Sequence, residues 1–202
     1  MQRRTFTIST LSVMLATAGL TACSTGNDEY IKLSVKAPTK AKDGKVEVVE
    51  FFNYGCIHCY DFEDDFQTWV NKKNPKLEIQ QVHVAFDRAS AIWQLTYYAI
   101  EEMGIKEKVH RKLFDAIHKD KFTPGHPDDV AAWMEKQGID KAEFQKHFQS
   151  KTTVENAKYA NTLTQAYAIS GTPSFGVNGE FYVEYRGAKT LTTIDKLTES
   201  AK

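Results

Sequence analysis

Apolar and polar positions change period several times along the 202-residue chain, and each change marks an element. Val46, Val48, Val49, Phe51 and Phe52 surround Glu47 and Glu50, with Asp43-Gly44 before them and Gly55 after. This β-rich run predicts a buried strand over 45–52. Cys59, Phe62, Phe66, Trp69 and Val70 then recur at helical spacing, so residues 57–73 are expected to form a helix that stops at Asn74-Pro75. Leu77 and Ile79, followed by Val82, Val84 and Phe86, alternate as a second strand with a change of phase near Gln81.

From Arg88 to about Ser150 the alternation gives way to helical stripes: Ile92, Leu95 and Ala99, then Val109, Leu113, Phe114 and Ile117, then Val130, Trp133 and Met134. Asp140 and Glu143 have the spacing of a capping box ahead of Phe144 and Phe148. A stretch of about 60 residues is too long to be a structureless loop, so it is read as a helical insertion. Thr153 to Tyr167 continues helically on Val154, Ala157, Ala160 and Leu163. Phe175–Val177 and Phe181–Val183 flank Asn178-Gly179, a hairpin signal because both turn residues tolerate positive φ. Leu191, Ile194 and Leu197 predict a final helix capped by Thr190. The expected chain is therefore α/β, in the order strand, helix, strand, helical block, hairpin, helix.

The first 22 residues differ in kind. Arg3-Arg4 precede an apolar stretch from Phe6 to Leu20 that holds no acidic residue, the layout of a secretory signal peptide. The stretch is too short and too rich in Ser and Thr to span a bilayer, which takes about 20 mostly apolar residues. Leu20-Thr21-Ala22-Cys23 resembles the lipobox of bacterial lipoproteins, in which the equivalent cysteine is acylated and becomes the mature N-terminus. An ordinary cleavage site beside an incidental cysteine is the alternative. Residues 23–44, opening with the polar Ser24 to Asp28, read as a tether. The resulting localisation is the periplasm, with a lipid anchor at Cys23 holding the protein to a bacterial membrane.

Basic and acidic side chains balance at 26 each, which argues against nucleic acid as a partner. Loss of residues 1–22 removes two arginines and no acid, so the mature chain carries a formal charge of −2. With 42% hydrophobic and 12% aromatic residues, the chain is not disordered. Its three cysteines are an odd set for a disulfide scaffold. Export would make disulfide chemistry available to the two that remain after Cys23.

Cys56-Ile57-His58-Cys59 sits at a strand-to-helix junction. Free N–H groups and the positive end of the helix dipole would favour a thiolate at Cys56, which is expected to attack or be attacked while Cys59 resolves. His58 would add to this by charge or hydrogen bonding, and the acids at 61, 63, 64 and 65, expected to be solvated, would oppose it. A zinc site needs two further ligands that no second motif supplies, and haem attachment needs His where Tyr60 stands, so neither a metal nor another cofactor is expected. A purely structural disulfide remains as an alternative. Thr172-Pro173 precedes the hairpin. A cis peptide there would turn the Thr172 backbone toward a bound chain near the sulfurs, whereas a plain turn proline would not. Glu50 would be exposed by simple alternation, but under the active site it could relay protons to Cys59. His83, alternating within a strand, is read as structural.

Glu50-Phe51-Phe52, Cys56-x-His58-Cys59-Tyr60 with Phe62 and Glu63, and Thr172-Pro173 followed by Val177-Asn178-Gly179 together resemble the DsbA family of bacterial thiol-disulfide oxidases. The resemblance runs from about Val46 to the C-terminus. It implies a thioredoxin-like fold, residues 45–87 and 151–202, interrupted by an inserted helical domain, residues 88–150. It also implies that Cys56 forms a mixed disulfide with a substrate thiol, that Cys59 resolves it, and that Thr172-Pro173 contacts the substrate backbone. The implied partners are unfolded or reduced exported proteins and an inner-membrane reoxidase of the DsbB type. Nothing demands a dimer, so the protein is read as a monomer. Two residues depart from the common pattern: Ile57 replaces the usual proline between the cysteines, and Gln81 stands where a lysine partner for the buried acid is often found. The expected function is disulfide donation. The alternatives are an isomerase or reductase, or a non-catalytic binding lipoprotein.

Overall fold

The computed structural model describes residues 29–72 and 75–200. The expected signal segment 1–22, Cys23, the polar stretch after it and Asn74 at the expected helix stop lie outside these residues.

The apolar run predicted first becomes the middle of a sheet. Strand β2 (Val46–Phe52) pairs in parallel with β3 (Leu77–His83) and antiparallel with β4 (Ser174–Val177). Two parallel neighbours need a crossover, and helix α1 (Ile57–Asn71) supplies it. Strand β5 (Phe181–Glu184) returns beside β4, and a two-residue strand β1 (Ile31–Lys32) adds to its far edge, giving the order β1-β5-β4-β2-β3. The reading of residues 23–44 as a tether does not anticipate β1, since two residues carry no periodicity. Hydrogen bonds from Leu33 N–H to Glu180 O and from Ala37 N–H to Gly179 O hold this strap to the hairpin turn. Asn178 and Gly179 both take positive φ there, as the hairpin signal requires.

Five helices lie between β3 and β4: α2 (Arg88–Glu102), α3 (Lys106–His118), α4 (Pro127–Lys136), α5 (Lys141–Phe148) and α6 (Lys151–Ala166). Helix α7 (Lys189–Ser200) ends the described chain. Val49 and Phe51 join one apolar cluster with Ala160, Leu163 and Tyr167, whereas Val48 joins a second with Phe62, Phe66, Ile194 and Leu197. Because β2 is covered on both faces, alternation does not govern exposure, and Glu50 is fully buried.

Local details depart from the sequence reading. Strand β3 ends at His83, and the chain turns into a capping box of Asp87 with Ser90 that leaves Phe86 exposed. Helix α6 buries Thr153 and exposes Val154, because the Thr153 and Ser150 hydroxyls turn inward to donate to Glu102. Asp140 caps α5 from its side chain, but Glu143 turns to Lys146 and His147 instead of completing the box. Thr190 lies inside α7, its hydroxyl accepting the Arg186 N–H. Among the described residues, no helix is long and apolar enough to cross a membrane.

Candidate active site

The loop from Asn53 to Cys56 fixes the first sulfur at the start of α1. The Asn53 side chain donates to Val84 O (2.8 Å) and accepts the Gly55 N–H (2.7 Å), while its carbonyl accepts the Cys56 N–H (3.0 Å). These bonds leave Cys56 as the N-cap residue of α1, with Sγ 3.4 Å from the Cys59 N–H. The helix terminus thus presents its unsatisfied N–H groups to this sulfur. Thr172 approaches from the other side of the sheet junction. Its carbonyl oxygen lies 3.1 Å from Cys56 Sγ, and the Thr172-Pro173 peptide is cis.

The two thiols differ sharply. The hydrogen bond from the Cys59 side chain holds Cys56 down. Burial opposes this, but the Thr172 side chain and the Cys59 and His58 backbone N–H groups add support, and the Cys56 thiol settles at about 5. Burial drives Cys59 far upward, and the hydrogen bond to Cys56 and the charges of Cys56 and Glu50 raise it further. Cys56 is half-buried and Cys59 enclosed, so the accessible sulfur is also the one that favours the thiolate. The imidazole of His58 is exposed and leans toward Tyr185, with ring centroids 6.1 Å apart, while its backbone N–H supports the Cys56 thiolate. Beside Cys56 opens a cleft of about 360 Å³ whose wall includes Asn53, Phe86, Trp93 and Thr172.

Beneath the cysteines lies a buried polar chain. Glu50 and Gln81 are register partners on β2 and β3, and Gln81 Nε2 donates to Glu50 Oε2 (2.7 Å). Glu50 Oε1 has no hydrogen-bond partner among the described residues. Burial, and then the charge of Glu63, hold the Glu50 carboxyl well above the usual carboxylate range, against the Gln81 hydrogen bond and the charge of Lys106. Glu63, expected among solvated acids, is buried on the inner face of α1, whereas Asp61, Asp64 and Asp65 are exposed. Its Oε1 accepts from Gln67 (2.7 Å) and lies 3.2 Å from His110 Nε2. On the other side of the His110 ring, Nδ1 meets the Tyr54 hydroxyl at 2.7 Å. His83 accepts the Tyr54 N–H at Nε2 (3.1 Å), and burial, reinforced by the charge of His110, pushes it down to about 3, which keeps it a neutral structural acceptor.

The structure therefore brings together Cys56, Cys59, Thr172 and Pro173, places Glu50 in the interior below them, and leaves the His58 ring at the surface. Asn53, Tyr54 and His110 are additions that sequence reasoning did not assign to the site, whereas Gln81 stands beside Glu50, where the resemblance put the partner of the buried acid. For His110 a signal existed, since it follows Val109 on the apolar stripe of α3. Among the described residues, no group of three or more His, Cys, Asp or Glu side chains is arranged to hold a metal ion.

Comparison with known proteins places this geometry in context. Residues 47–198 match the family described as DSBA-like thioredoxin domain. The chain is 35% identical over 178 residues to the thiol:disulfide interchange protein DsbA of Azotobacter vinelandii, covering 86% of this chain and 83% of that relative. It is 36% identical over 171 residues to the protein of the same name from Burkholderia cepacia, covering 85% and 80%. The crystal structure of Pseudomonas aeruginosa DsbA superposes with a TM-score of 0.80 at 30% identity, covering 85% of this chain and 91% of that one.

Proposed function

Since the chain belongs to the DSBA-like thioredoxin domain family and is a thiol-disulfide oxidoreductase, we propose that it works as an oxidase, donating the Cys56–Cys59 disulfide to newly exported proteins. The observation that carries this direction is the asymmetry of the two sulfurs. A substrate thiolate attacks Cys56 Sγ, the Cys56–Cys59 bond breaks, and Cys59 leaves with the electron pair. Cys59 holds a proton far more tightly than an ordinary thiol, so it must be protonated as it leaves, and Glu50 is the buried acid suited to supply that proton. A second substrate thiolate then attacks the substrate sulfur of the mixed disulfide and Cys56 departs as its stabilised thiolate. The substrate has lost two electrons to the cysteine pair. A stable Cys56 thiolate stabilises the reduced enzyme and so makes its disulfide the stronger oxidant.

In this reading the cleft beside Cys56 receives unfolded polypeptide, with Phe86 and Trp93 as apolar contacts. Thr172 lines the cleft and, with Pro173 beside it, holds the substrate backbone, and His58 acts through its backbone N–H. Export to the periplasm, acylation of Cys23 and reoxidation by a DsbB-type membrane partner complete the proposal. They are supported by the order of residues 1–23 and by the family relationship. Oxidation of a reduced, unfolded protein by the purified disulfide form tests the central step. Activity is expected to disappear in Cys56→Ser, and undiminished activity in that variant would end the assignment.

A further inference from the structure

The buried chain beneath the cysteines holds two carboxyl groups joined by one amide. Gln81 Nε2 is 2.7 Å from Glu50 and 3.5 Å from Glu63. Two carboxylates sharing one buried donor cannot both ionise cheaply, so one of them keeps its proton. Which one does so depends on what each faces elsewhere. Among the described residues, Glu50 has only Gln81, its other oxygen being without a hydrogen-bond partner. Glu63 has Gln67 and, at 3.2 Å, His110 Nε2.

We propose that His110 is a positioning residue for the disulfide exchange: through Glu63 it assigns the shared proton to Glu50, the acid that serves Cys59. This rests on the reading of Glu50 as the proton source for Cys59. His110 Nε2 lies 3.2 Å from Glu63 Oε1, an ion-pair contact without hydrogen-bond alignment. On the other side of the ring, the 2.7 Å contact of Nδ1 with the Tyr54 hydroxyl holds the imidazole in this position. Burial raises Glu63, but the His110 contact and charge, with help from Gln67 and Lys106, outweigh it and leave the Glu63 carboxyl below its ordinary value. An ionised Glu63 across Gln81 is in turn one of the causes that keep Glu50 protonated. The surrounding titratable groups are Cys56 and Cys59 from the start of α1, His83 from β3, Tyr97 and Glu101 from α2, and Lys106 from α3. Of these, Lys106 is the one cation whose charge reaches both acids. It favours ionisation of both and does not discriminate between them, whereas His110 touches Glu63 alone.

The proton transfer then balances simply. A substrate thiolate bonds to Cys56 Sγ as the Cys56–Cys59 bond breaks, Cys59 sulfur takes the pair, the Glu50 proton passes to it, and Glu50 is left as carboxylate. A polar cavity of about 220 Å³, lined in part by Gln81, Tyr97, Glu101 and Lys106, opens beside this chain, and reprotonation of Glu50 is assigned to that side.

The test is the pH profile of peptide oxidation by the full-length disulfide form, with the rate corrected for the thiolate fraction of a reduced cysteine peptide. In His110→Leu, Glu63 loses its ion-pair contact and takes the proton, so the midpoint belonging to Glu50 is expected to fall by about one pH unit. The rate above that midpoint is expected to fall about tenfold. His110→Gln, whose amide can reach Glu63, should restore most of both. A folded His110→Leu protein with the wild-type midpoint overturns the proposal. Should His110→Leu fail to fold, carboxyl carbon NMR of the wild type decides. Glu63 ionised and Glu50 protonated at neutral pH is the expected result, and the reverse assignment overturns the inference. Glu50→Gln separates the two layers. If it leaves the midpoint in place, the proton-source reading and this inference both fall. If it removes the midpoint while His110→Leu does not move it, the inference alone falls.

Discussion

Lowering the pH through the titration of Cys56 is expected to weaken the reduced protein relative to its Cys56→Ser variant. In the fold the Cys56 thiol lies at about 5 instead of its ordinary 9.0, chiefly through the hydrogen bond from the Cys59 side chain. A depressed folded value stabilises fully above the unfolded value, and the stabilisation is lost as pH falls toward the folded one. The window is therefore pH 9 to about 5. Each pH unit inside it is worth about 1.4 kcal/mol, so at neutral pH the thiolate would contribute roughly 2.7 kcal/mol without screening. Cys56 is only half-buried, and halving for solvent screening leaves about 1.4 kcal/mol. Urea unfolding of the reduced wild type and of Cys56→Ser, at neutral pH and well below the thiol midpoint, reads this directly. The stability difference between the two proteins should change by about 1–3 kcal/mol across that interval, in step with the ultraviolet thiolate absorbance. A difference that stays constant while the absorbance titrates would refute the reasoning.

Glu50→Gln should behave oppositely. A buried carboxyl raised by desolvation loses stability as pH climbs above its ordinary 4.5, so the variant is expected to be the more stable of the two at neutral pH. The gain should vanish in acid, as denaturant curves at two pH values would show. Gly176→Ala places a methyl where it overlaps the Tyr167 ring on the face of β4. A loss of about 1–3 kcal/mol is expected, visible as a lower Tm. Cys23→Ser should move the protein from the membrane to the soluble periplasmic fraction, and unchanged partitioning would remove the lipid anchor from the account.

Much of the fold was legible because its signals are local. The C-x-x-C pair, the apolar run of β2 and the Asn178-Gly179 turn each specify their geometry within a few residues. Strand β1 was not legible, since Ile31 and Lys32 owe their conformation to backbone bonds made with a hairpin about 150 residues later. Exposure failed as an inference wherever a neighbour from another element decided it. Glu50 reads as exposed only until β3 and β4 flank it and helices cover both faces. Glu63 belongs by sequence to an acidic run, yet its helix turns that one position toward His110. The polar chain from Glu50 through Gln81 and Glu63 to His110 joins two strands and two helices, so no window of sequence contains it. Its signal was present only singly, as polar residues set among apolar positions.

The reduction potential of the Cys56–Cys59 pair, measured in the full chain against a glutathione redox buffer, tests the central claim most directly. Stabilisation of the Cys56 thiolate predicts a disulfide distinctly more oxidising than the value near −270 mV typical of thioredoxin. A potential as reducing as that would contradict the assignment as a disulfide donor and point instead to a reductase.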